Sequence, residues 1–141
     1  FTIILLIIAA VYFWMQSTAP KYSGKVKLSG LQKKAEVVYD AYGVPHIYAQ
    51  NARDAYFALG YAHAQDRLFQ MVMIRRVVEG RLAELLGKDL VKTDKYMRTL
   101  SIVNKMAEAS TAQFMKEADE PIREQTQAYL AGINQFIKKS S

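Results

Sequence analysis

Leu68, Phe69, Met71, Val72, Met73, Ile74, Val77 and Val78 crowd one short stretch of the chain. At helical spacing these side chains point in almost every direction and leave hardly any polar stripe. A helix of that kind must be buried on all sides. Residues outside the amino-terminal leader are too few to surround it, so the sequence reads as part of a larger fold. This constraint outweighs any motif taken singly, because it sets how much protein must lie around the helix.

Composition narrows the class. The chain has 141 residues, of which 51% are hydrophobic and 23% charged, which excludes a disordered or low-complexity segment. It has no cysteine, so disulfide scaffolds, zinc ribbons and thiol nucleophiles are excluded. Its two histidines, His46 and His63, are too few for a histidine-built metal site. The net charge of +6 comes largely from scattered lysines with no recognition motif, so no nucleic-acid partner is expected.

Residues 1–16 form an apolar leader, FTIILLIIAAVYFWM followed by Gln16. A spanning helix needs about 20 apolar residues, and this run is shorter. Tyr12, Phe13 and Trp14 at one end suit a membrane interface. Signal-peptide and uncleaved signal-anchor readings both remain, with the membrane as a partner through residues 1–15. Ser17-Thr18-Ala19 offers small residues for cleavage, but Pro20 directly after them hinders it, which favours the anchor. Lys21, Lys25, Lys27, Lys33 and Lys34 argue for the opposite topology by the positive-inside count. The expected location is the periplasm or its membrane face, with the domain outside the cytoplasm; the lack of cysteine fits export. Residues 17–34 read as a polar tether and residues 35–141 as an incomplete domain.

The domain opens with a hairpin, Glu36 to Asp40 and Val44 to Tyr48, joined by Ala41-Tyr42-Gly43. Gly43 accepts the left-handed conformation that such a turn needs. Pro45 lacks a ladder donor. Alternation puts Val44, His46 and Tyr48 on one face, so His46 reads as a packed, hydrogen-bonded strand residue. Asn51 caps a helix with Asp54 reaching back to it. That helix runs, with an allowed break near Gly60, to Leu86, where Gly87 stops it.

Within the helix Asp66 and Gln70 share a face, and Arg67, Arg75 and Arg76 require partners if buried. His63 and Asp66 are spaced to share a metal, but no third ligand is visible. A buried ion-pair network is the expectation. Leu100, Val103, Met106, Ala107 and Phe114 continue helical spacing. A last helix starts near Pro121 beside Asp119 and Glu120. Its apolar face carries Ile122, Tyr129, Leu130, Ile133, Phe136 and Ile137. No phosphate loop and no Gly-x-Ser-x-Gly elbow is present.

The run Asp40-Ala41-Tyr42-Gly43-Val44-Pro45-His46-Ile47-Tyr48-Ala49 resembles the penicillin acylase (penicillin amidase) family. The resemblance continues through Asp54-Ala55, Gly60-Tyr61, and Ala64-Gln65-Asp66-Arg67-Leu68-Phe69-Gln70-Met71. It extends over Arg75-Arg76 and Gly80-Arg81-Leu82-Ala83-Glu84-Leu85-Leu86-Gly87. Asp94, Arg98 and Ala131-Gly132-Ile133-Asn134 agree in kind.

The resemblance implies an α+β fold, a fragment of a four-layer αββα N-terminal-nucleophile hydrolase. Here it comprises a hydrophobic helix, a hairpin and a mostly helical body. Such enzymes are exported precursors that cut themselves into an α and a β chain. The new terminal serine of the β chain attacks an acyl amide, its own amino group acting as base. The match covers the front of the α chain only. Ser17, Ser23, Ser29, Ser101, Ser110, Ser140 and Ser141 fit no nucleophile motif, so no catalytic, cofactor or metal residue is carried over.

By the same resemblance, acyl-pocket residues and a calcium site lie beyond Ser141, and the implied partners are the remainder of the precursor and an acyl amide substrate. A penicillin side-chain acylase and an N-acyl-homoserine-lactone acylase are not separated by these residues. The alternative is a membrane-tethered helical scaffold or interaction domain without chemistry.

Overall fold

The computed structural model describes residues 2–18 and 22–140. Its helices are α1 (Thr2–Thr18), α2 (Ala52–Glu79), α3 (Ala83–Leu86), α4 (Val91–Leu100), α5 (Glu108–Glu117) and α6 (Glu120–Ser140). Strands β1 (Glu36–Tyr39) and β2 (Pro45–Tyr48) form a two-stranded sheet. The body is thus mostly helical with one small sheet among the described residues.

In α1 the apolar side chains face outward, with Ile3 71% and Trp14 68% exposed. The helix has 17 residues, about 25 Å at 1.5 Å per residue, against a hydrocarbon layer of about 30 Å. No helix among the described residues is long and apolar enough to cross a membrane. The spanning helix that the anchor reading requires is therefore not found there. Phe1, the Ala19-Pro20-Lys21 break with its cleavage point, and Ser141 lie outside the described residues.

The hairpin forms as expected. Its antiparallel register pairs Glu36 with Tyr48, Val37 with Ile47, Val38 with His46 and Tyr39 with Pro45. Gly43 has φ 76°, and its N–H donates to the Asp40 carbonyl at 3.0 Å. Val44, His46 and Tyr48 do share a face, but it is the solvent face. The expected packing of His46 is thus corrected: its side chain is 51% exposed. Val37, Tyr39, Pro45 and Ile47 are the half-buried positions, because α2 and the segment before β1 occupy the other side.

Helix α2 starts where Asn51 predicts. The Asn51 side chain accepts the Asp54 N–H at 2.7 Å. Gly60 does not break the helix. Instead it lies where α2 meets α6: a Cβ at Gly60 would overlap the Tyr129 carbonyl, and one at Gly132 would overlap the Phe57 carbonyl. Two helices approach this closely only where neither carries a side chain. The buried residues of α2 all belong to its first half, from Asp54 to Ala64.

The helix ends at Gly80 rather than at Gly87. Gly80 adopts φ 63°, ψ 46°, its N–H reaches Val77 O, and the Arg81 N–H reaches Arg76 O at 2.8 Å. This paired closure is a Schellman stop. Gly87 closes the separate turn α3 through its N–H to Ala83 O. In the second half of α2, Phe69 is 73% and Ile74 66% exposed. The burial expected around Leu68 to Val78 is not supplied by the described residues, because α6 covers only the first half.

Downstream the helical spacing is interrupted. Ser101 takes a left-handed conformation at φ 52°, and the π-helical stretch Ile102–Ala107 links α4 to α5. Helix α6 begins at Glu120-Pro121 as expected. Of its predicted apolar face, Tyr129, Ile133 and Phe136 turn toward α2, while Ile122, Leu130 and Ile137 stay exposed. The seam runs through the buried small residues Ala128 and Gly132, which turns the inward face away from those three.

Candidate functional site

Residues 22–33, read from composition as tether, form a strap across α2 and the hairpin. The Asp54 carboxylate, fully buried, accepts the backbone N–H groups of Gln32 and Lys33, each at 2.9 Å. Asn51 Nδ2 adds a third bond at 2.8 Å. Burial opposes the negative charge, yet the bonds from Gln32, Asn51 and Lys33 outweigh it and hold the carboxyl below its ordinary pKa. Arg53 donates to Gly30 O at 3.0 Å. The reach-back expected of Asp54 therefore goes mainly to the strap.

A second buried carboxylate repeats the arrangement. Asp94 on α4 accepts the N–H groups of Leu82 and Ala83 at 2.9 and 2.8 Å. Arg98, one turn on, donates to Gly80 O at 2.8 Å. Together they clamp the Gly80 to Ala83 corner. Outside it Glu84 takes bonds from Arg81 Nε at 2.8 Å and from Arg76 at 2.9 Å. Those two guanidiniums, Arg81 first, pull the Glu84 carboxyl down to about 2. Arg75 pairs with Glu79 at 2.7 Å.

The expected buried network around Asp66 is not what forms. Asp66 and Arg67 are exposed, and Asp66 Oδ1 accepts the Tyr22 hydroxyl of the strap at 2.9 Å. Exposure removes the need for an ion pair, since water solvates both charges. His63 Nδ1 lies 3.1 Å from the Tyr129 hydroxyl, across the seam between α2 and α6. No three His, Asp or Glu side chains gather to hold a metal among the described residues. At the hairpin, Asp40 accepts the Tyr42 and Val44 N–H groups at 2.8 and 3.0 Å, with His46 Nε2 at 3.2 Å. These contacts lock the turn.

Between strap, β1 and α2 lies a cleft of about 160 Å³, lined among others by Tyr22, Tyr39 and Tyr61. The rings of Tyr22 and Tyr39 stand 4.6 Å apart.

The sequence profile of the penicillin amidase family, described as penicillin amidase, matches residues 34–141. The chain belongs to the penicillin amidase family. Penicillin acylase 2 proenzyme of Pseudomonas sp. (strain SE83) is 40% identical over 123 residues, covering 87% of this chain and 15% of that protein. Penicillin G acylase of Escherichia coli is 38% identical over 130 residues, 92% of this chain and 14% of the relative. Acyl-homoserine lactone acylase QuiP of Pseudomonas fluorescens (strain Pf0-1) is 35% identical over 122 residues, 86% and 14%. The chain thus spans about 14–15% of the length of these relatives.

Among solved structures, the thermostable penicillin G acylase from Alcaligenes faecalis superposes with a TM-score of 0.60. It shares 35% identity, over 75% of this chain and 54% of that one. Among the residues quoted for the resemblance to the penicillin amidase family, Asp54, Asp94 and Arg98 each bond a backbone group distant in sequence, while Asp66 and Glu84 bond side chains and Asp40 bonds within its own turn. The strap that closes the cleft lies just ahead of the family match. Asp94 as a double backbone acceptor was not read from sequence beyond its likeness in kind. An acidic residue in the first turn of α4, a short span after the Gly80 corner, is the signal available for it.

Proposed function

We propose that this chain is the leading part of a precursor of an acyl amide hydrolase of the N-terminal-nucleophile class. A serine of a downstream β chain attacks the acyl amide carbon, and the residues of this chain form scaffold. The observation that carries the reading is the match of residues 34–141 to the family together with 40% identity to a penicillin acylase proenzyme. The clamps at Asp54 and Asp94 support a structural role, because their carboxylate oxygens are engaged by backbone donors. Relatives of both penicillin acylase and acyl-homoserine lactone acylase name occur at similar identity. The substrate is thus an acyl amide of either kind. The exposed apolar helix α1 supports a leader that directs export.

Expression of the complete gene tests the reading. Extension past Ser141 is expected to reveal an internal serine that becomes a chain terminus on self-cleavage. The processed protein should hydrolyse phenylacetyl amides or N-acyl-homoserine lactones, and substitution of that serine by alanine should leave an uncut, inactive precursor. The 141-residue chain alone should turn over neither. A complete gene with no such serine, or a folded product that is never cut, favours the scaffold reading instead.

A further inference from the structure

The strap and β1 run in opposite directions on two sides of one cleft, each with an unused backbone edge. The strap starts at Tyr22, whose ring lies 4.6 Å from that of Tyr39. It reaches the start of α2, where Arg53 holds Gly30 O at 3.0 Å. The chain turns back through Gln32 and Lys33 on Asp54, and β1 then returns to Tyr39. Among the described residues no backbone hydrogen bond joins residues 22–29 to another segment. On β1 the Asp40 N–H donates to Val44 O at 3.1 Å. Alternation along the register then makes Val38 and Glu36 the residues bonded to β2. The N–H and C=O groups of Val37 and Tyr39 point the other way, to the free edge of β1.

The strap also has the pattern of a strand. Tyr22, Gly24, Val26 and Leu28 line the cleft, as do Ala35, Val37 and Tyr39 across from them. Lys25 and Lys27 between them are exposed and take no part in the lining. The departure is at Gly24, whose φ of 119° lies outside the extended region, and Ser23 beside it is turned to the cleft as well.

We propose that the strap closes on β1 as a third antiparallel strand, with Gly24 as its hinge. Tyr22 opposite Tyr39 sets the register, which places Gly24 opposite Val37 and Val26 opposite Ala35 on the inner face. Ser23 meets Val38 and Lys25 meets Glu36 on the solvent face, the second a pair of opposite charge. A slip of one residue would set Lys25 against Val37 and turn the lysine inward. Lys27 against Lys34 ends the pairing by repulsion. Closure takes Gly24 from φ 119° to an extended value, a change that glycine permits. It takes up the cleft, gives partners to both free edges, and shields β1 from pairing with another chain. A third strand also steadies a sheet that is marginal with two. The proposal concerns the strap and β1 alone, and it holds whichever chemistry the downstream chain performs.

The test uses the full-length protein. Hydrogen exchange at Val37, Tyr39 and residues 24–28 should be about tenfold or more slower than in an unstructured peptide of the same sequence. Gly24→Ala should slow residues 24–28 by about fivefold or more again, because alanine penalises the left-handed state and not the extended one. Val26→Pro removes the donor to Ala35 and should return these residues to peptide rates. Ser23→Cys with Val38→Cys, a non-hydrogen-bonded pair with Cα atoms about 4.5 Å apart on closure, should oxidise to a disulfide. Ser23→Cys with Glu36→Cys, two residues out of register, should yield about tenfold less. The masses of the cross-linked tryptic peptides separate the two. Unprotected β1 and strap amides, faster exchange in Gly24→Ala, unchanged exchange in Val26→Pro, or equal cross-linking of both pairs overturns the proposal. So does protection of Val37 and Tyr39 beside an unprotected strap, which gives the β1 edge to a strand from elsewhere in the protein.

Discussion

Gly60 and Gly132 face each other across the contact of α2 and α6, and neither position has room for a methyl group. A Cβ on either would overlap a backbone carbonyl of the opposite helix, which cannot move aside as a flexible side chain can. The small core around them, Phe57, Ala58, Ala62, Ala64 and Ala128, depends on that approach.

Gly60→Ala and Gly132→Ala should each destabilise the protein by about 1–3 kcal/mol, the range of an overpacked core. Both glycines are helical, so the substitution raises helix propensity by roughly 1 kcal/mol and works against the loss. Urea unfolding of the full-length protein measures the net effect. Stability equal to or above the parent would show that the helices do not cross at this point.

Asp54→Ala leaves the Gln32 and Lys33 N–H groups without their buried acceptor. The expected cost is about 2–4 kcal/mol, one to two kcal/mol per orphaned donor. Release of the strap should be the local sign, seen as faster exchange at residues 22–33. Asp54→Asn, which keeps one acceptor oxygen, should recover part of the loss. If Asp54→Ala leaves strap exchange unchanged, the strap is held elsewhere.

Acid should weaken the corner between α2 and α3. The Glu84 carboxyl is depressed from an ordinary 4.5 to about 2 in the folded state. A depressed carboxylate stabilises the fold fully above its unfolded value, and the contribution is lost as pH falls through the folded one. Stability should therefore drop between these two values, and Glu84→Gln should flatten that slope. An unchanged acid profile in this variant would refute the pairing with Arg81 and Arg76.

Asp66 has an exposed partner in Tyr22, so its removal should be mild. A double-mutant cycle of Asp66→Ala and Tyr22→Phe should give a coupling of about 1 kcal/mol or less, given solvent screening. The buried ion pair read from sequence predicts several times more, because it strands a charge in the interior. Precursor processing should survive Asp66→Ala. Failed processing would restore a buried ion pair at Asp66.

Much of the fold was legible in the sequence because the signals are local. Asn51 with Asp54, Gly43 at the hairpin turn, and Pro121 in the first turn of α6 act through their own backbone geometry. The family was legible for a related reason: its blocks are runs of neighbouring residues. No reactive group of the candidate site was legible, and the described residues bring none together beyond the clamps and the cleft.

The sequence by itself determined the hairpin with its turn, the starts of α2 and α6, and the family. Tertiary structure decided where α2 stops, which side of the hairpin faces solvent, and what Asp66 holds. Gly80 and Gly87 are equally good stop signals in one dimension. Only the Asp94 carbonyl and Arg98, packed where a Cβ at Gly80 would sit, select the first. Gly60 likewise reads as a weak point until the α6 backbone lies against it. In each case the choice belongs to an atom distant in sequence and near in space, and no local pattern contains it.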